Sequence, residues 1–269
     1  MPAVTPLADA TDGAAFGGKA ASLGAAARAG LPVPAGFALS VDAVEAVVRE
    51  DPVAVAAVRT ACAGGHRPRA VRSSAVEEDS GEAGFAGAHR TVLGVCEPDA
   101  VVAAVRRVHA SGDGAAARAY RGRLGLGRAR MGVVVQELVP ADVAGVMFTR
   151  NPVTGAAERV VEASWGLGEA VVAGLVVPDR FRLDAEGRVL ERTVGEKDVA
   201  LRAGPTGTEE VVVDDAAAHA PCLDLGQLAA LHALAEACDA VYGPPDHDIE
   251  FAFHRGAVFL LQRRPITGG

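Results

Sequence analysis

Gly13-Ala14-Ala15-Phe16-Gly17-Gly18-Lys19-Ala20 comes close to the phosphate-binding pattern of a glycine-rich loop closed by Gly-Lys-Ser/Thr. Ala20 stands where that loop needs a hydroxyl to reach Mg2+, and the preceding Leu7-Ala8-Asp9-Ala10 makes a poor buried strand, so a true P-loop is disfavoured. A Gly-Gly-Lys that opens a helix still offers a cation and unpaired N–H groups to a phosphate. The alternative is a surface lysine at a helix start, an end of the dipole that is unfavourable to cations. The chain has only two lysines, Lys19 and Lys197, against 24 arginines, so a lysine that survives this bias calls for a role. Lys19 suggests one; Lys197, in Gly195-Glu196-Lys197-Asp198, does not.

Two further groups carry chemistry. Arg72 lies in the strand-like Ala70-Val71-Arg72-Ser73-Ser74, just before the glycine-rich stretch from Gly81 to Gly87. A guanidinium fork on a rigid strand beside such a loop suits a polyphosphate, although pairing with Glu77, Glu78 or Asp79 accounts for it equally well. Near the C-terminus, a three-residue turn Arg255-Gly256-Ala257 would set Glu250 directly opposite Gln262, with Arg264 on the same face. A carboxylate, an amide oxygen and a guanidinium then converge, which is oxygen ligation suited to Mg2+ with an arginine for the phosphate. Ile249, Phe251, Phe253, Phe259 and Leu261 would supply the apolar opposite face. For an arbitrary hairpin, an exposed polar face with a cross-strand salt bridge is the commoner outcome.

Other chemistries find little support. Trp165-Gly166-Leu167-Gly168-Glu169 is not a dinucleotide fingerprint because position 171 is Val, the seven histidines form no HxxxH pair, and no GxSxG elbow occurs. Cys62, Cys96, Cys222 and Cys238 form no CxxC pair, which leaves reduced, partly buried thiols. A net charge of −8 gives no general attraction to nucleic acid or acidic membrane. The longest apolar run, about 170–177, is far short of the ~20 residues of a membrane helix. Met1-Pro2-Ala3-Val4-Thr5-Pro6 has neither the basic nor the apolar region of a secretory signal, and a cytoplasmic protein is the expectation.

The positioning elements follow from periodicity and punctuation. Helices are expected over 18–29, from Val41 with Ser40 as its cap, over 52–62, 99–110 and 115–124, and over 225–242. Strands are expected at 36–39, 70–74 and 91–95. From residue 131 the rhythm becomes β-rich, with Val133-Val134-Val135, 143–149 and 159–163 reading as an antiparallel meander, 181–184 and 189–194 flanking a hairpin turn at Ala185-Glu186-Gly187, and a hairpin closing the chain over 249–264. With 269 residues, half of them hydrophobic, the chain has material for one large or two modest domains. The pattern argues for an α+β fold in two lobes, 1–135 and 136–269.

Taken in order, these segments resemble the nucleotide-binding domain of the phosphoenolpyruvate synthase and pyruvate phosphate dikinase family, which includes the rifampicin phosphotransferases. The resemblance rests on Gly17-Gly18-Lys19-Ala20-Ala21-Ser22-Leu23-Gly24 with Ala29-Gly30-Leu31-Pro32-Val33-Pro34-Ala35-Gly36-Phe37, on Ala70-Val71-Arg72-Ser73-Ser74-Ala75 with Glu78-Asp79 and Phe85-Ala86-Gly87, and on the segments from Asp142 to Glu169. Asp248-Ile249-Glu250 and Leu261-Gln262-Arg263-Arg264-Pro265 complete the series. The resemblance implies an ATP-grasp fold with ATP held between two lobes. Lys19, Arg72 and Arg264 would contact phosphates, Gly87 and Thr91 would lie in the loop over them, Gln136, Glu137 and Leu138 would meet the adenine, and Glu250 and Gln262 would hold Mg2+.

The family splits ATP to AMP and phosphate and passes a phosphoryl group to a histidine on a mobile domain. This chain differs in having Ala88 and Arg90 where the family places a Gln and an acidic residue, in a shorter stretch before Arg72, and in ending at Gly269 without a phosphohistidine segment or a phosphoenolpyruvate barrel. The expected protein is therefore an ATP- and Mg2+-dependent phosphotransferase module working with a separate phosphohistidine carrier and an acceptor-binding protein for a small-molecule substrate. Direct phosphorylation or ligation of a small molecule, and nucleotide binding without turnover, are the alternatives.

Overall fold

Helix starts in this chain are written by the side chains that cap them. The Asp12 carboxylate accepts from the Ala14 N–H at 2.9 Å, the Ser40 hydroxyl from Ala43 at 3.3 Å, and the Asp51 carboxylate from Val53 and Ala54 at 3.0 and 2.9 Å. Asp224 and Gln227 form a reciprocal capping box at the start of the longest helix. The computed structural model of the chain describes residues 3–64, 67–76, 91–112, 130–204 and 207–266. It divides into two units, one of Met1–Arg28, Ala35–Leu138 and Pro205–Gly207, the other of Ala29–Pro34, Val139–Gly204 and Thr208–Gly269. A boundary between residues 135 and 136, as the sequence suggested, would cut a strand that runs over Met131–Glu137.

In the first unit the described elements are β1 (Thr5–Pro6), a 3-10 turn (Leu7–Asp9), α1 (Gly13–Phe16), α2 (Gly18–Arg28), β2 (Gly36–Leu39), α3 (Val41–Val48), α4 (Pro52–Cys62), β3 (Arg69–Ala75), β4 (Thr91–Val95), α5 (Pro98–Ser111) and β5 (Met131–Glu137). They build a five-stranded antiparallel sheet in the order β1-β2-β5-β3-β4. Period-two alternation sends Leu39, Val71, Met131, Val133 and Val135 to one face, where they pack with Val44, Val47, Val58, Val101, Val105 and Val108 of α3, α4 and α5. Each fully buried valine contributes about 1.5–3 kcal/mol, so this small-residue core is built by number rather than by large rings. Helix 115–124 and the glycine-rich stretch 81–87 fall outside the described residues.

In the second unit the described elements are β6 (Val143–Phe148), β7 (Arg159–Trp165), α6 (Glu169–Val172), β8 (Asp179–Leu183), β9 (Val189–Thr193), β10 (Val199–Gly204), β11 (Gly207–Val212), α7 (Asp215–Ala218), α8 (Leu225–Tyr242), β12 (His247–His254) and β13 (Ala257–Pro265). A six-stranded antiparallel sheet has the order β13-β12-β6-β7-β8-β9, and β10 pairs with β11 in a separate ribbon. Met147, Val161, Phe181, Leu183, Ile249, Phe251 and Phe253 are completely or nearly completely buried on one face of the large sheet. The helix α8 buries Leu228, Leu231, Leu234, Ala235 and Cys238.

Two expectations need correction. Val133-Val134-Val135 belongs to the five-stranded sheet and not to the meander, because β5 pairs with β2 and β3, strands far away in sequence. The closing hairpin turns on two residues, Arg255 and Gly256, both with positive φ (49° and 80°), rather than three. Pairing therefore starts at His254 with Ala257, and Phe251 and Phe253 face Leu260 and Val258 instead of Leu261 and Phe259. A bulge between Glu250 and Phe251 then inserts one residue into β13 and restores the expected partnership of Glu250 with Gln262. No helix among the described residues is long and apolar enough to cross a membrane. The apolar run 170–177 is the short helix α6 and the loop after it.

Candidate functional site

In the first unit the start of α2 is pressed onto β3. Gly17 has φ +84°, and a Cβ there would lie 2.0 Å from the Ser74 carbonyl oxygen, so only glycine fits. The Ser74 hydroxyl accepts from the Ala20 N–H at 2.9 Å. A hydroxyl is thus present at this helix start, supplied by the strand rather than by residue 20. Lys19 is 6% exposed, and its Nζ donates to the Ser73 carbonyl at 3.0 Å, one residue from Arg72. Leu7–Asp9 is a 3-10 turn and not a strand, which removes the P-loop reading.

The register fixes what shares this face. Arg72 is directly opposite Thr91 on β4 and Val134 on β5, and Ala70 is opposite Gln136. Directly paired residues project to the same side, so Arg72, Thr91 and Gln136 lie on the face that carries Ser74 and the start of α2. Lys19, Arg72, Thr91 and Gln136 are thereby brought together. Glu137 projects to the other face, where its carboxylate takes both bonds from Arg67 Nη1 at 3.0 and 3.1 Å. Its N–H donates to the Ala35 carbonyl, and that of Leu138 to the Pro68 carbonyl, both at 2.8 Å. Of the three residues expected near an adenine, Gln136 alone therefore presents its side chain beside Arg72. Gly87 and the Ala88-His89-Arg90 stretch lie outside the described residues. Arg69 is structural: it is buried and donates to the carbonyls of Cys62, Cys96 and Arg67 at 2.9, 3.0 and 3.2 Å.

In the second unit the bulged hairpin delivers the expected cluster and adds a member. Glu250 pairs with Gln262 and Asp248 with Arg264, and all four share one face. Gln262 is buried; with its amide oxygen turned toward Arg264 it accepts from the guanidinium Nη2 at 2.6 Å. Asp248 opens the Asp248-Ile249-Glu250 segment. Its Oδ1 is enclosed and has no hydrogen-bond partner among the described residues. Burial first, then the neighbouring Glu250 carboxylate, push its carboxyl up to about 6, against the opposing pull of Arg264. The alternation that exposed Glu250, Gln262 and Arg264 to inspection holds equally for Asp248, two residues from Glu250.

These residues fit a hard cation. Mg2+ is commonly held by one or two carboxylates with the remaining positions left to water and phosphate, and an enclosed carboxylate oxygen without a donor is the group such an ion would satisfy. Among the described residues no cluster of three His, Cys, Asp or Glu side chains is arranged for a metal, so an all-protein cage is not built here.

The same end of the sheet is braced. Thr149 and His247 exchange bonds, the Thr149 N–H donating to the His247 carbonyl at 2.9 Å and the His247 N–H to the Thr149 hydroxyl at 2.7 Å. Asn151 Oδ1 accepts from the N–H groups of Val153 and Thr154, and its Nδ2 donates to the buried Glu158 at 2.5 Å. Arg182 binds both oxygens of Glu158 at 3.1 and 2.8 Å, which together with Asn151 holds that carboxyl below its usual range.

Lys197 has a structural place that the sequence did not show. It is completely buried, with Nζ 2.6 Å from Asp179 Oδ1 and 3.0 Å from the Ala218 carbonyl. Asp179 also accepts from the Gly195 N–H at 2.8 Å and the Cys222 N–H at 2.6 Å, so one ion pair pins β8, the 195–197 turn and the end of α7. Cys62, Cys222 and Cys238 are buried thiols, as expected; burial pushes Cys238 up to about 12 and raises Cys222 as well, with Asp179 adding to the effect.

The sequence profile of the pyruvate phosphate dikinase AMP/ATP-binding domain matches residues 52–269. A probable phosphoenolpyruvate synthase of Methanothermobacter thermautotrophicus is 42% identical over 201 residues, covering 74% of this chain and 29% of that protein. The prodigiosin synthesizing transferase PigC of Serratia marcescens is 38% identical over 94% of this chain and 31% of its own length. A rifampicin phosphotransferase of Streptomyces sviceus is 35% identical over 96% of this chain and 35% of its own. The chain thus spans about a third of the length of these relatives.

Proposed function

The chain belongs to the pyruvate phosphate dikinase AMP/ATP-binding domain family, and on that footing we propose that it is an ATP-grasp phosphotransferase module that splits ATP to AMP and phosphate and passes a phosphoryl group to a histidine on a separate carrier domain. The observation that carries the reading is the segregation of phosphate chemistry onto one sheet face in each unit: Lys19, Arg72, Thr91 and Gln136 in the first, Asp248, Glu250, Gln262 and Arg264 in the second.

Arg72 and Arg264, both on strands, offer guanidinium forks to phosphate oxygens with little reorganisation. Lys19 contributes a positive charge at a glycine-flanked helix start, the end of the helix dipole that favours an anion. Gln136 presents an amide to the base. Asp248, Glu250 and Gln262 would hold Mg2+ through their oxygens, and the ion would supply positive charge to offset that of the phosphates. Catalysis of this kind is mostly positioning and electrostatics, so residues fixed by sheet pairing are suited to it.

Incubation with ATP, Mg2+ and a carrier protein that bears the acceptor histidine should give AMP and an acid-labile phosphohistidine. Formation of ADP, or no turnover with a carrier verified by a related enzyme, would overturn the assignment. Arg72→Ala and Arg264→Ala should each lower kcat by about 10²–10³, as expected when one oriented donor is lost.

A further inference from the structure

We propose that Arg180 is a phosphate-binding contact of the second unit, outside the set formed by Asp248, Glu250, Gln262 and Arg264; the inference rests on the nucleotide-dependent function argued above. Cross-strand pairing sets Gln262, Glu250, Val146, Glu162 and Arg180 in one lateral row over β13, β12, β6, β7 and β8, all projecting to the same face. With strands about 4.8 Å apart, Arg180 stands about 14 Å from Glu250 at the backbone, within the reach of a long side chain and a phosphate between them. Val146, the short residue in the row, leaves the floor between Glu250 and Glu162 low.

Two arginines of β8 face this side, and they are held differently. Arg182 is saturated, with Glu158 at 2.8 and 3.1 Å and Glu191 at 2.6 Å. Arg180 approaches Glu162 only to 4.0 Å, beyond hydrogen-bond distance, and its enclosed Nε has no acceptor among the described residues. Its side chain is 43% exposed. A guanidinium whose enclosed Nε has no hydrogen-bond acceptor among the described residues, and whose ion pair with Glu162 is long, is suited to bidentate capture of phosphoryl oxygens by its outer nitrogens. The phosphate has two sources, the nucleotide itself or inorganic phosphate.

The test is calorimetric titration of the whole chain with Mg2+-ATP, AMP and inorganic phosphate, for the parent and for Arg180→Ala, Arg180→Lys and Glu162→Gln. Arg180→Ala should weaken the phosphate ligand about tenfold and leave AMP unchanged, as for loss of one charge-assisted contact. Arg180→Lys, which keeps the charge and loses the fork, should fall between. A loss for ATP assigns the contact to the nucleotide, and a loss for inorganic phosphate alone assigns it to the free ion. Glu162→Gln, which removes the competing carboxylate, should tighten the same ligand. Unchanged affinities in Arg180→Ala, with a thermal transition matching the parent, would overturn the inference. Failure of the parent to bind any nucleotide would instead remove the functional reading beneath it.

Discussion

Replacing Asp248 by Asn tests whether its carboxyl is as enclosed as the geometry requires. Its ordinary value of 3.8 and its folded value of about 6 differ by about 2 pH units, set first by burial and then by Glu250. At about 1.4 kcal/mol for each, this amounts to about 3 kcal/mol. The sign follows from which state holds the proton. Between about pH 4 and pH 6 the folded chain keeps a proton that the unfolded chain has released, so stability declines as pH rises through that window and stays lower above it. Asn cannot titrate. The stability of Asp248→Asn relative to the parent should therefore improve by about 3 kcal/mol between pH 4 and pH 7, read by chemical denaturation in a series of buffers. Saturating Mg2+ and ATP should flatten the slope of the parent, because a bound cation keeps the carboxylate ionised. A difference between the two proteins that is constant with pH, or that grows in favour of the parent, would refute the reasoning.

Gly17→Ala should destabilise the first unit by about 2–5 kcal/mol in equilibrium denaturation and weaken ATP binding, since its Cβ would overlap the Ser74 carbonyl at a positive φ and displace the start of α2. Lys197→Met should cost about 3–5 kcal/mol, measured the same way, because it strands the buried Asp179 carboxylate. The companion Asp179→Leu should not restore what is lost, because Asp179 also receives the N–H groups of Gly195 and Cys222.

Most helices were legible because their ends are local chemistry. Ser40, Asp51 with Pro52, and the Asp224/Gln227 box mark starts within a few residues of the groups they cap, and the spans Pro52–Cys62 and Leu225–Tyr242 coincide with the expected ones. Strand partnership is not local. Nothing within 131–137 says that β5 joins strands about 60 and 100 residues earlier, and the ribbon of β10 and β11 has a largely exposed surface without clean alternation. Glu250, Gln262 and Arg264 could be aligned because one hairpin contains them all. Lys197 could not be explained, because its partner Asp179 lies 18 residues away and meets it only after β8 is in place.

The turn and the bulge of the closing hairpin are a matched pair, and together they act as a phase correction. The two-residue turn at Arg255-Gly256 starts the pairing one position out of step with the arrangement needed at Glu250, and the extra residue in β13 brings it back. Pairing continued from this turn without the bulge would set Leu261 opposite Glu250 and send the side chains of Gln262 and Arg264 to the apolar face. The side chains at the far end thus take their face from one extra residue in β13, and the need for it is set by the turn about 20 Å away along the strand.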